Sequence, residues 1–118
     1  MSSNTILIVD DSRVSRMLIR AIITQADPHA EIIEASTGEE ALAKVDNLNI
    51  TIATLDLNMP GIDGLALASK LLLKFPRAKI GLLTANIQEM VRQKAEALGI
   101  SFISKPITEE KILNFIYG

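Results

Sequence analysis

The sequence predicts a doubly wound α/β fold, a five-stranded parallel sheet flanked by five helices, and three observations carry that expectation. Short β-branched runs alternate with longer stretches whose apolar residues recur every three to four positions, the signature of a repeated strand-helix unit. Capping and stop residues stand where the period changes. The chain has 118 residues, 48% of them apolar and 22% charged, which suits one core, so residues 1–118 are expected to form a single domain. Such alternation calls for right-handed crossovers and a sheet covered on both faces.

Each element has its own warrant. Thr5–Val9 reads as the first strand. In the helix after it Leu18, Ile19, Ile22 and Ala26 share one face and Arg13, Arg16 and Arg20 the other, before Pro28 stops it. Residues 32–35 form the second strand, and Thr37 with Glu40 makes a capping box for the second helix. The third strand covers residues 51–55; Asp63 caps the third helix and Pro76 follows it. Residues 79–83 form the fourth strand, and the helix beyond ends at Gly99. The fifth strand covers residues 101–103, and Thr108 with Glu109 and Glu110 opens a short last helix.

Composition excludes several functions. A formal net charge of -2 gives no basic footprint for nucleic acid, and direct binding to it is not expected. Without cysteine there is neither a disulfide framework nor a thiolate zinc site. The N-terminus lacks a basic region, and the apolar run after it is too short for a signal peptide or a membrane span. A soluble, cytoplasmic protein is expected.

Ligands of open α/β sheets bind outside the carboxyl ends of the strands, where the winding reverses. Asp10 and Asp11 follow the first strand, Asp56 the third, Thr84 the fourth and Lys105 the fifth. With strand order 2-1-3-4-5, a strand spacing of about 4.8 Å brings the acidic pair near Asp56, and Lys105 must reach across about 10 Å. Three such carboxylates repel one another, and a cation resolves the conflict. With only oxygen donors the best match is Mg²⁺, which accepts a few carboxylates and keeps several waters. A threonine hydroxyl and a lysine charge suit a transferring phosphoryl group, and a carboxylate can accept one as an acyl phosphate.

"ILIVDDS", "LDLNMPGIDG", "LLTAN" and "FISKP", in this order and at these strand ends, closely resemble the receiver domain of two-component response regulators, in particular its single-domain, chemotaxis-type form. The resemblance spans essentially the whole chain. It implies that Asp56 is the phosphoryl acceptor, that Asp10, Asp11 and the backbone carbonyl of Asn58 join it in holding Mg²⁺, and that Thr84 and Lys105 contact the phosphoryl group. It also implies an aromatic switch at Phe102 and a cis bond before Pro106. The implied donor is a sensor histidine kinase or a histidine phosphotransfer protein. The output would be a changed surface of helix four, strand five and helix five, offered to a protein target. Such a chain is a signalling switch that assists its own phosphorylation and dephosphorylation, not an enzyme. The first helix would be a docking face through Arg13, Arg16, Met17 and Arg20, and Asn58 and Asn86 would influence water access.

Plainer readings exist for each residue. Asp11 or Ser12 could simply cap the first helix, Thr84 could be a turn residue, Phe102 core, and the arginine stripe a solvated face. The joint placement of five polar residues on one sheet edge favours the site; Asp63 is a cap and His29 a loop residue. A flavodoxin-like flavin protein would share the fold, but its phosphate loop needs Ser, Thr and Gly where Asp10 and Asp11 stand. A haloacid dehalogenase type phosphatase needs an aspartate where this chain has Asn58. A receiver belonging to a longer regulator is the nearer alternative, although the ending at Tyr117-Gly118 suggests a stand-alone protein.

Overall fold

The structure, a computed structural model, describes residues 3–85 and 88–118. Its elements run β1 (Thr5–Val9), α1 (Arg13–Ala26), β2 (Glu31–Ala35), α2 (Gly38–Lys44), β3 (Ile52–Asp56), α3 (Gly64–Lys74), β4 (Lys79–Thr84), α4 (Glu89–Leu98), β5 (Ser101–Ser104) and α5 (Glu109–Tyr117). The strands form one sheet of order β2-β1-β3-β4-β5, with every pairing parallel.

Strand parity decides what each residue faces. Leu7, Val9, Ala53, Leu55, Ile80 and Leu82 pack with Ala41, Leu67, Leu71 and Ala95, under the layer of α2, α3 and α4. The alternate residues Ile6, Ile8, Ile52, Leu83 and Ile103 pack with Ile19, Ile23, Ile112 and Phe115, under α1 and α5. The central strands are therefore apolar on both sides, as a sheet buried between two helical layers requires. Each fully buried Leu or Ile contributes about 1.5–3 kcal/mol of transfer free energy.

The caps follow the sequence. Ser12 Oγ accepts from the Ser15 amide, Thr37 Oγ1 from Glu40, Asp63 Oδ1 from Ala66 and Thr108 Oγ1 from Lys111, each satisfying an otherwise unpaired helix N–H. Glu40 reaches back one residue beyond the predicted box, accepting from the amide of Ser36, which precedes the cap, at 2.5 Å. That bond, with a second from the Ser36 hydroxyl, holds its carboxyl below the usual glutamate range. Gly99 ends α4 at φ 74°, a conformation that suits glycine.

Two expectations are corrected. The buried face of α1 is Ile19, Ile22 and Ile23, whereas Leu18 is 45% exposed and Ala26 faces solvent, because the helix leans its 22–23 edge onto the sheet. The strands also run further than predicted: Asp56, Thr84 and Ser104 are the last paired residues of β3, β4 and β5, not the first loop residues beyond them. Polar side chains there lower strand propensity, but the neighbouring ladder outweighs it.

Candidate functional site

The ladder that pairs Val9 with Leu55 carries Asp10 and Asp56 side by side off the carboxyl edge of β1 and β3. By parity both belong to the α1/α5 side, as does Lys105, two residues beyond Ile103. Lys105 Nζ lies 3.2 Å from Asp56 Oδ1 and 3.8 Å from Asp10 Oδ2. The lysine thus bridges the gap that the strand order set. Carboxylate oxygens of Asp10, Asp11 and Asp56 all lie within 4.8 Å of one another; Asp10 and Asp56 are buried and Asp11 is exposed.

Burial pushes the Asp10 and Asp56 carboxyls above the ordinary aspartate range, and the neighbouring carboxylates add to it. The Ser12 amide opposes that rise at Asp10, and Lys105 together with the Asn58 amide opposes it at Asp56. One ammonium does not neutralise three carboxylates. Asp10 Oδ2 is buried without a hydrogen-bond partner among the described residues, although it faces the cluster. An oxygen-only donor set that includes a buried carboxylate oxygen met only by the Lys105 ammonium at 3.8 Å fits a hard divalent cation.

Thr84 and Phe102 stand on the opposite parity, with the α2–α4 layer. Thr84 is fully buried at the end of β4, and its carbonyl accepts from the Lys105 amide at 2.8 Å. Phe102 pairs across the ladder with Leu82, packs half-buried against that core, and has the Arg92 guanidinium 5.7 Å above its ring. The Lys105-Pro106 bond is cis. Asn58 is exposed beside Asp56, while Asn86 lies outside the described residues.

The predicted arginine face does not hold as one surface. Arg13, Met17 and Arg20 are exposed, with Val14 and Leu18 beside them. Arg16 instead is only 16% exposed and turns toward the sheet, pairing with Glu34 at 3.2 Å. The sequence carried a signal for this. Glu34 shares strand parity with Ile32, which packs under α1, so a carboxylate there needs a cation from that helix. Gly64 was also missed: a Cβ on it would lie 2.5 Å from the Asp56 carbonyl oxygen, so α3 starts directly against the end of β3.

A parallel sheet of order 2-1-3-4-5 with an acidic cluster, a buried threonine and a lysine on its carboxyl edge defines a class, the flavodoxin-like α/β domains with a polar site at the carboxyl ends of their strands. Comparison with known proteins gives the family. The model of the response regulator receiver domain matches residues 6–117, and the chain belongs to that family. It is similar to the chemotaxis protein CheY of Listeria monocytogenes, with 35% identity over 109 residues covering 92% of this chain and 91% of that protein. Among solved structures it resembles the CheY-like receiver domain protein of Methanospirillum hungatei (27% identity, TM-score 0.88, 98% and 91% of the two chains). It also resembles the CheX-CheY-BeF3-Mg²⁺ complex of Borrelia burgdorferi (32% identity, TM-score 0.85, 96% and 86% of the two chains). The chain is thus a CheY-like receiver domain of two-component signalling.

Proposed function

We propose that this receiver takes a phosphoryl group on Asp56 from a phosphohistidine of a sensor kinase or phosphotransfer protein, and that the acyl phosphate sets the state of a switch. The observation that carries the reading is the buried Asp56 carboxylate with Lys105 Nζ at 3.2 Å and two further carboxylates around it. An Asp56 oxygen attacks phosphorus, the bond from phosphorus to the imidazole nitrogen breaks, and the imidazole leaves with the electron pair and takes a proton from solvent. Lys105 pairs with a phosphoryl oxygen, and the Thr84 hydroxyl donates to another. Asp10, Asp11, Asp56 and the Asn58 carbonyl would hold Mg²⁺, which when bound supplies positive charge to the phosphoryl oxygens. A relative 32% identical was solved with Mg²⁺ and BeF3, which supports that choice. Attack of water on the acyl phosphate later returns the carboxylate and releases phosphate.

Movement of Thr84 toward the phosphoryl group draws Phe102 inward, off its contact with Arg92, and the surface of α4, β5 and α5 changes for a protein target. On this reading the whole chain is one receiver domain, works in the cytoplasm, binds no nucleic acid directly, and docks its donor on Arg13, Met17 and Arg20 of α1.

Mass spectrometry after incubation with Mg²⁺ and a small phosphodonor tests the central claim. The wild type gains one phosphoryl group and Asp56→Ala gains none; a gain that persists in Asp56→Ala overturns the assignment. With a phosphohistidine protein as donor, Arg13→Glu combined with Met17→Ala slows transfer while leaving the small-donor reaction alone. A variant that takes the phosphoryl group from the protein donor as fast as the wild type would remove the docking face.

A further inference from the structure

Asp10 is gripped by protein at three of its four polar atoms. Its N–H donates to the Ala35 carbonyl at 3.2 Å, its Oδ1 accepts from the Ser12 amide at 2.8 Å, and its carbonyl accepts from Arg16 Nη1 at 2.6 Å. The fourth, Oδ2, is the buried oxygen without a hydrogen-bond partner among the described residues. Of the three grips only the last comes from a side chain. That side chain is itself held: Arg16 Nε donates to Glu34 Oε1 at 3.2 Å, and Glu34 Oε2 accepts from Arg20 Nη1 at 2.9 Å. The Glu34 carbonyl in turn accepts from Lys44 Nζ at 2.7 Å, which ties the end of β2 to α2.

From this arrangement we infer that Arg16 is a positioning residue for the acidic site: aimed by Glu34, its guanidinium fixes the backbone of Asp10 so that Oδ2 is presented to the divalent cation. The inference rests on the proposed Mg²⁺ site and extends it to a residue that touches neither cation nor phosphoryl group. Arginine is required because its planar fork serves two acceptors at once, one at the end of β1 and one near the end of β2; a lysine ammonium on a flexible stem fixes neither direction. The arrangement also removes Arg16 from the docking surface to which its helical spacing assigned it. Its Nε and Nη1 donors point inward, and the exposed positions in the first two turns of α1, from Arg13 to Arg20, are Arg13, Val14, Met17, Leu18 and Arg20.

Charge and geometry act in opposite directions here, which makes the sign of the effect decisive. Deleting a positive charge near a cation site removes repulsion and by itself tightens Mg²⁺. Deleting a group that orients a ligand weakens it, typically 10–100-fold for outer partners of a metal site. The experiment is an Mg²⁺ titration by calorimetry or by amide NMR shifts of residues 10–12, on wild type, Arg16→Met, Arg16→Lys and Glu34→Gln, each with a thermal melt. Arg16→Met is expected to bind about tenfold more weakly despite the lost charge. Arg16→Lys, which keeps the charge and loses the fork, is weaker by several-fold, and Glu34→Gln shifts in the same direction by less.

An Arg16→Met protein that binds Mg²⁺ as well as or more tightly than wild type overturns the inference. So does a lowered melting temperature with an unchanged dissociation constant, which is the mark of a merely structural role. If Arg16→Met fails to fold, Arg16→Lys gives the decision by the same criterion. A wild type that binds no Mg²⁺ at all sinks the proposed site itself, an outcome distinct from wild-type binding with no response to Arg16.

Discussion

Asp56 and Asp63 lie seven residues apart in one stretch of chain and do opposite things to stability. Asp63 is exposed and accepts from the Ala66 amide at 2.9 Å, so Asp63→Ala should cost about 1 kcal/mol while leaving phosphorylation intact. Asp56 is buried in a cluster of like charge. In the metal-free protein Asp56→Asn should therefore stabilise by about 1 kcal/mol while abolishing phosphorylation. Thermal melts paired with mass spectrometry separate the two, and a destabilised Asp56→Asn would contradict the reading of the cluster as repulsive. The pH dependence follows from the same pKa directions. Asp10 and Asp56 are raised by burial, so the folded state binds more protons than the unfolded one between the ordinary aspartate value of about 3.9 and the raised folded values. Metal-free stability should therefore rise as pH falls from neutrality through the raised values. Glu40 has the opposite sign: its contribution is present above the ordinary glutamate value and lost as pH falls through the lowered one. A melting series without Mg²⁺ should thus rise on mild acidification and then fall, and the rise should flatten in Asp10→Asn and Asp56→Asn.

At the scale of elements, the start of α3 and the end of β3 are one construction. The Gly64 amide donates to the Leu57 carbonyl at 3.0 Å, and a Cβ there would meet the Asp56 carbonyl oxygen at 2.5 Å and Leu82 Cδ1 at 2.7 Å. Gly64→Ala is therefore expected to cost about 2 kcal/mol, since the clash is with backbone. It should also slow phosphorylation of Asp56 by a small donor; a variant with wild-type stability and rate would show that the helix start is free to shift. Much of this level was legible in sequence. Ser12 was one of two candidate caps, Thr37, Asp63 and Thr108 were predicted outright, and all four cap the helices that follow them, because capping is local chemistry. The face of α1 was not legible to the residue. A helix written as a wheel gives a hydrophobic side, but which edge leans on the sheet is set by packing against α5 and the strands, and it turned Leu18 outward. Arg16 was misread for the same reason. Its partner Glu34 is eighteen residues away, and only the sheet brings them together.

For the whole molecule, a cation that binds only the folded chain should stabilise it by mass action, by about 2.7 kcal/mol at a hundredfold excess over its dissociation constant. The melting temperature of the wild type should climb with Mg²⁺ and return on chelation, and the climb should shrink in Asp10→Asn. A flat response would remove the metal from the proposed function. The strand order was legible because alternating strand and helix patterns with acids after the first and third strands leave few arrangements that gather them. The ends of the strands were not, since Asp56 and Thr84 read as loop residues and are held in the ladder by Leu83 and Ser104 across from them.

The parity of these strands has a further meaning as wiring. Asp10, Asp56 and Lys105 belong to one side of the sheet, Thr84 and Phe102 to the other, and the backbone joins the two sides where the Lys105 amide meets the Thr84 carbonyl. The two layers thus meet at one backbone contact, so a shift of β4 at Thr84 bears directly on the lysine that pairs with Asp56. A single residue inserted in β4 ahead of Thr84 would turn that side chain onto the opposite face of the sheet and undo its place in the layer it shares with Phe102.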